Sequence, residues 1–271
     1  MKIITVQWLM LLLMSFAISI VHADKPTVVL QVNESPPLWS DNISSGGMGS
    51  EIVAAISKEM GIKTRIEFIP LKRLIADTTN NDVGNPLFYM NNQDFVAIIP
   101  IGVSYASLFT YHKDAHKIPK NSFGNDQRIG VLIGTIGANA GLEKFGKFEE
   151  SYSNESLFKK LKVGRVNFVI DLYLPGKEVI GRLFPNEIDH FNVDIIPESA
   201  APIAILLDAN YPNGAMIGKR YQEGMNRILK NGVHRKIIEK YFGKNHIPST
   251  YYTDLSKFEF LYSSDLGGNS L

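Results

Sequence analysis

The chain contains no cysteine among its 271 residues. Disulfide bonds and thiolate metal sites are therefore excluded, and a hydrophobic core has to hold the fold together. Hydrophobic residues make up 45% of the sequence, which is ordinary for a globular protein. A chain of this length can bury such a core without covalent cross-links.

An excess of charge of one sign is also missing, because 28 Lys and Arg residues stand against 27 Asp and Glu residues. This balance predicts no nucleic-acid partner and gives no support to a polybasic membrane partner. The sequence has no HExxH motif, no P-loop and no Gly-x-Ser-x-Gly elbow. The histidines are scattered, and no close second group of ligands accompanies them, so we expect neither a metal site nor a cofactor; they are His22, His112, His116, His190, His234 and His246.

Long apolar runs are absent except at the start of the chain. Lys2 precedes an apolar stretch over residues 8–21, which ends at Val21-His22-Ala23. A basic start, an apolar middle and a small-residue end predict a secretory signal peptide cleaved after Ala23. The alternative is a retained membrane anchor, which needs about 20 apolar residues, whereas polar residues interrupt this run. We expect a mature protein in the periplasm, without a lipid anchor because no cysteine can be acylated.

The mature sequence alternates between strand and helix patterns. Residues 27–32 read as a buried strand, 50–60 as a helix ended by Gly61, and 63–69 as a second strand. A short helix is predicted from Pro70. The same reasoning predicts strands at 95–100, 107–111, 128–133, 166–170, 193–196 and 203–207, and helices at 155–161, 214–229 and 233–241. This order is typical of an α/β protein with mainly parallel sheets flanked by helices.

Several short motifs occur in an order that resembles one protein family. The chain is similar to the solute-binding protein family 3, the type-II periplasmic binding proteins, over about residues 26–243. The motifs that carry the resemblance are the Glu-x-Pro-Pro loop at 34–37, the helix start Gly-x-x-x-Glu-Ile at 47–52, Pro-x-x-Arg at 70–73, the Gly-Val-x-x-Gly-Thr segment at 130–135, "LKVGRV" at 161–166 and the closing helices "MNRILKNGVHRKIIEKYFG".

The resemblance implies two α/β lobes joined by two crossing strands. The first lobe is expected at 24–110 plus 204–250, the second at 111–203, and a tail at 251–271. A ligand is expected in the cleft between the lobes, where strand ends and helix N-termini converge. Closure around the ligand would be a hinge motion.

Four residues are the main candidates for ligand contact, each with a structural alternative. Trp39 follows two prolines and either stacks on a ligand or covers the core of the first lobe. Arg73 either binds a carboxylate or is a surface charge. Thr135 either contacts an anion at a helix start or caps that helix. Asp171 follows a strand, and the resemblance implies that it pairs with a ligand ammonium; the alternative is a loop acid that caps the next helix.

Further candidates rest on position alone. They are Glu34, Tyr89, Gln93, Ser104 and Tyr173. Amino-acid binders of the family usually carry an Arg before the strand at Phe95, where it holds the α-carboxylate of the ligand. This sequence has Tyr-Met-Asn-Asn-Gln at 89–93 and no Arg, and the family's acid in the "GRvD" motif is Asn167 here. The missing Arg argues against standard amino-acid binding, and the two departures together motivate the alternative of a degenerate binding fold.

The resemblance predicts a non-enzymatic binding protein, expected to be a monomer. It would capture a small polar ligand, amino-acid-like or an organic acid or amine, for an ABC transporter permease or a membrane sensor. One alternative is a degenerate binding fold that acts only through protein contacts. Another is an exported enzyme similar to cyclohexadienyl dehydratases, which would need a carboxylic acid such as Glu34 or Asp171 poised in the cleft.

Overall fold

A computed structural model of the protein describes residues 27–70, 73–74, 82–84, 95–113, 127–133, 146–258 and 261–262. Its strands are β1 (Thr27–Val32), β2 (Lys63–Phe68), β3 (Asp82–Gly84), β4 (Phe95–Ser104), β5 (Ala106–Tyr111), β6 (Arg128–Leu132), β7 (Lys147–Ser151), β8 (Phe168–Leu172), β9 (Phe191–Ile195), β10 (Ala201–Asp208) and β11 (Leu261–Tyr262). Its helices are α1 (Met48–Met60), α2 (Asn154–Lys162), α3 (Tyr173–Leu183), α4 (Gly214–Lys230), α5 (Val233–Phe242) and α6 (Tyr251–Lys257).

The strands form two sheets. The first has the order β11-β4-β10-β3-β1-β2 and the second the order β7-β6-β8-β5-β9. In the first, β1 runs parallel to β2 and β3, whereas β10 runs antiparallel to β3 and β4. In the second, β6 runs parallel to β7 and β8, whereas β5 runs antiparallel to β8 and β9. Most strands of each sheet run in one direction, and β5, β10 and β11 run the other way.

Local sequence signals explain where the helices begin and end. Helix α1 ends at Gly61, which has a left-handed φ of 56°, a conformation that glycine adopts without a steric penalty. Helix α2 begins after Ser153, whose Oγ accepts a hydrogen bond from the N–H of Ser156 at 3.2 Å. The predicted end of α1 at Gly61 is confirmed.

The chain passes between the sheets twice. Tyr105 is the single residue between β4 and β5, and a 3-10 turn at Pro197–Ser199 separates β9 from β10. The two passages are joined, since the N–H of Ala106 donates to Ser199 Oγ at 2.8 Å. The lobe limits predicted from the sequence lie inside β5 and β10, and that division of the chain stays a prediction.

The region predicted as a polar tail begins with helix α6. Tyr251 is fully buried, and its hydroxyl accepts a hydrogen bond from the N–H of Val103 at 3.2 Å. The hydroxyl of Tyr105 donates to Asp254 Oδ2 at 2.9 Å. Two hydrogen bonds therefore connect helix α6 to the end of β4, the strand that leads out of the first sheet. Within the part of the chain that the structure describes, no helix is long and apolar enough to cross a membrane.

Candidate functional site

Segments from both sheets meet at one small cavity beside the crossing strands. The loop after β1 contributes Leu38, the end of β4 contributes Ser104, and the end of β8 contributes Leu172. The cavity measures about 10 Å³, which is room for about one water molecule. The other lining residues are Val103, Tyr105, Tyr173, Leu174, Pro175 and Phe242. This convergence brings three of the segments that carry predicted ligand residues to one place.

The junction is closed on one side by aromatic packing. The rings of Tyr173, at the start of α3, and Phe242, at the end of α5, stack with centroids 5.6 Å apart and an interplanar angle of 19°. Tyr173 and Leu174 belong to the hydrophobic cluster of the first sheet although their helix follows a strand of the second. The N–H of Tyr173 also donates to the carbonyl of Tyr105 at 2.9 Å. The two sheets are therefore in direct contact at this junction.

Asp171 is a buried acid that directly precedes Leu172 of the cavity lining. Its side chain is almost fully enclosed, with the residue 4% exposed. The side-chain amide of Asn154 donates to Oδ2 at 2.7 Å, and the N–H of Leu172 donates to Oδ1 at 2.8 Å. Desolvation disfavours the charged carboxylate and raises the pKa of Asp171 to about 7, although these two hydrogen bonds lower it. Asp171 can therefore hold or release a proton near neutral pH.

Two unused hydroxyls lie at the same end of the second sheet. Ser107 pairs with Asp171 across β5 and β8, and Ser151 is the last residue of β7. Both residues are buried, and within the described part of the chain neither Oγ atom has a hydrogen-bond partner. A buried polar group without a partner is costly. This end of the sheet thus has hydrogen-bonding capacity that the fold itself does not use.

Trp39 lies in the core of the first sheet and is 5% exposed. Its ring covers the first turn of α1, where the N–H groups of Met48 and Gly49 donate to the carbonyls of Pro37 and Leu38 at 3.0 and 2.9 Å. This position corresponds to the second alternative, a lid over the core. These two N–H groups at the start of α1 therefore already donate hydrogen bonds to carbonyls of the loop after β1.

The other predicted residues in the described ranges lie nearer to solvent. Glu34 Oε2 accepts a hydrogen bond from the N–H of Asp41 at 3.1 Å, within the loop after β1. Ser104 Oγ donates to the carbonyl of Ala201 at 3.3 Å. Arg73 is exposed, on the turn that begins at Pro70. Tyr89, Gln93 and Thr135 lie outside the described residues, so their roles stay predictions.

A larger cavity of about 760 Å³ lies at the opposite end of β8. None of the predicted ligand residues lines it. Lys113 and Gln127 both do, and the chain between them lies outside the described residues. We therefore assign no ligand to this cavity and place the candidate site at the junction of the two sheets.

Sequence reasoning missed Asn154 as a part of the site, because a side chain that bonds to an acid on a distant strand leaves no local pattern. Tyr173 was a candidate by position, but its stacking on Phe242 depends on two helices that are far apart in the chain. An acid in a loop is expected to be exposed, whereas Asp171 is buried.

Comparison with solved structures identifies the architecture. A histidine kinase sensor domain with similarity to periplasmic binding proteins is 16% identical, with a TM-score of 0.60 over 81% of this chain and 97% of that chain. The arginine-, lysine-, histidine-binding protein ArtJ from Geobacillus stearothermophilus is 18% identical, with a TM-score of 0.60 over 83% and 98%.

The ligand-binding core of GluR0 from Nostoc punctiforme, in complex with L-glutamate, is 17% identical, with a TM-score of 0.59 over 79% of this chain and 99% of that chain. No protein-family model and no curated protein matches the sequence. At these identities the likeness concerns the fold. The chain has the two-lobed α/β fold of the periplasmic binding proteins.

Proposed function

We propose that the protein is a periplasmic solute-binding protein without catalytic activity, which captures a small polar ligand between its two lobes. The observation that carries the proposal is the convergence of the loop after β1, the end of β4 and the end of β8 at one junction. In open α/β sheets, ligands bind outside the carboxyl ends of the strands. Solved structures with this fold include binding proteins for arginine and for glutamate.

The chemistry around Asp171 supports a ligand that carries an amine or hydroxyl group. The carboxylate accepts hydrogen bonds, and the hydroxyls of Ser107 and Ser151 can both donate and accept them. Arg73 is the candidate partner for an acidic group on the ligand, because a guanidinium offers paired donors to a carboxylate. The absence of Arg from residues 89–93 favours a ligand other than a standard α-amino acid.

The partner would be an ABC transporter permease or a membrane sensor. Both kinds of system contain this fold, since the similar structures include substrate-binding proteins of amino acid ABC transporters and a sensor domain of a histidine kinase. Export through the predicted signal peptide would place the chain in the periplasm beside either partner.

A ligand screen tests the proposal. Residues 24–271 would be titrated by calorimetry with amino acids, polyamines and small organic acids, and the best ligand would be measured again with Arg73→Ala. The matched control is Arg227→Ala, which removes an exposed Arg from helix α4. We expect micromolar binding that Arg73→Ala weakens at least about tenfold for an acidic ligand and that Arg227→Ala leaves unchanged.

One observation favours the alternative of a fold that acts only through protein contacts. Both oxygens of Asp171 already accept hydrogen bonds from the protein, and the junction cavity holds about 10 Å³. If the whole panel fails to bind, while the protein still co-purifies with a membrane sensor irrespective of Arg73→Ala, ligand capture is wrong and this alternative takes its place.

A further inference from the structure

The basic residues of this nearly neutral chain are concentrated on two neighbouring helices. Residues 214–242, which span α4 and α5, carry seven Lys and Arg residues and two Glu residues. The whole chain has 28 basic and 27 acidic residues, so the remainder is net acidic. The basic residues of the two helices are Lys219, Arg220, Arg227, Lys230, Arg235, Lys236 and Lys240; the acidic residues are Glu223 and Glu239.

Three of these cations already have partners. Lys240 pairs with Glu51 of α1 at 2.5 Å, Arg220 donates to the carbonyl of Met60, and Arg235 lies over the ring of Tyr252. The other acid of α1 that faces these helices is Glu59, which accepts a hydrogen bond from the side chain of Asn231 at 3.3 Å. The two acids of α1 and the two Glu residues of α4 and α5 therefore leave an excess of three among the seven basic residues of these two helices.

The other four cations are exposed: Lys219, Arg227, Lys230 and Lys236. Among the described residues, none of them is in an ion pair. The first three lie on one stripe of α4 at helical spacing, which also carries the exposed Glu223 between Lys219 and Arg227. Lys236 follows the turn between the helices. Met216 lies on the same stripe, one turn before Arg220, and is 57% exposed. We call these five residues the basic face.

We propose that the basic face binds the anionic headgroups of a phospholipid membrane. Basic side chains near such a surface contribute favourable energy one by one and need no fixed geometry. An exposed apolar side chain among them can enter the headgroup region. We favour a lipid surface over an acidic protein because long, mobile cations are spread along two helices, whereas a protein partner would favour directed ion pairs. The inference is independent of the ligand and of the proposed function.

A vesicle sedimentation experiment tests the proposal. Residues 24–271 would be mixed with vesicles of phosphatidylcholine and phosphatidylglycerol in equal parts, or of phosphatidylcholine alone. We expect binding only to the anionic vesicles. It should disappear in about 1 M NaCl, where the Debye length falls to about 3 Å.

Charge-reversal variants locate the surface. Arg227→Glu with Lys230→Glu should reduce vesicle binding at least about tenfold. The matched control, Lys147→Glu with Lys159→Glu, changes the net charge equally at exposed positions on the second sheet and its helix and should retain binding. Thermal melts of both variants would verify that they fold.

Two results would overturn the proposal. One is equal binding of the parent protein to both kinds of vesicle. The other is equal loss in the two double variants, which would mean that net charge alone acts. Salt-sensitive binding to native membranes that protease treatment abolishes, without binding to protein-free vesicles, would instead identify an acidic protein as the partner.

Discussion

The ring of Trp39 fills the space that a side chain at Gly49 would need. A Cβ atom at position 49 would lie 2.1 Å from both Cζ2 and Cη2 of the ring, a distance that no pair of non-bonded carbon atoms tolerates. The contact joins the loop after β1 to the first turn of α1. Packing thus explains the glycine at position 49, inside the 47–52 motif, since it lies directly under the ring of Trp39.

Gly49→Ala should destabilise the protein by roughly 1–3 kcal/mol, because the added methyl group forces the Trp39 ring out of its place. The free energy of unfolding in urea measures this, with Trp39 as the fluorescent reporter. Gly181→Ala is the control: a Cβ there meets nothing within 4 Å, and the change in helix α3 should be neutral or stabilise by up to about 1 kcal/mol. Equal stability of the two variants would contradict the packing argument.

Asp171 should make stability fall as the pH rises toward neutral. Burial raises its pKa from 3.8 to about 7, so the folded protein keeps a proton that the unfolded chain has already released. This contribution is therefore present below about pH 4 and is lost as the pH rises to about 7. Asp171→Asn removes it.

The measurement for Asp171 is the free energy of unfolding at several pH values. Relative to Asp171→Asn, the parent protein should lose on the order of a few kcal/mol between about pH 4 and pH 8. Asp189→Asn, at an exposed position, is the control and should follow the parent. Parallel curves for the parent and Asp171→Asn would mean that burial does not perturb this acid.

Tyr105→Phe should destabilise the protein by roughly 1–3 kcal/mol, because Asp254 loses a buried hydrogen-bond donor. Chemical denaturation measures the loss. Tyr152→Phe removes a hydroxyl from a side chain that is 93% exposed, and it should leave stability unchanged. If both variants match the parent, helix α6 does not depend on this bond.

Ser153→Ala should cost about 1 kcal/mol, since it removes the side chain that caps α2. Thermal unfolding is sufficient to detect this. Ser156→Ala provides the comparison within the same helix: the backbone N–H of Ser156 donates to the capping Oγ, but its own side chain is exposed. A larger loss from Ser156→Ala than from Ser153→Ala would show that the cap is not the stabilising contact.

Local patterns predicted most of the secondary structure. Gly61 and Ser153 act on their own helix ends, so the sequence nearby was sufficient to place them. Helix α6 was missed because it has only seven residues, too few for a period to stand out in a polar region. Its stability comes from Tyr251 and Leu255 packing on a distant strand.

The candidate site was less predictable than the fold. The position of Asp171 at a strand end could be inferred, but its burial depends on Asn154 and on helix α2, which approach only after folding. Trp39 was open between a ligand role and a core role because both require an aromatic on a rigid loop. The antiparallel pairing of β10 with β4 joins residues about a hundred positions apart, and no short pattern reports such a pair.

The order of strands in the two sheets sets the order in which they can be completed. All five strands of the second sheet lie between residues 106 and 195, whereas the first sheet needs β10 to join β3 to β4. A chain that emerges with its N-terminus first can finish the later sheet while the earlier one still has open edges. During synthesis, β3 and β4 must therefore each keep one edge with unpaired backbone groups until β10 arrives.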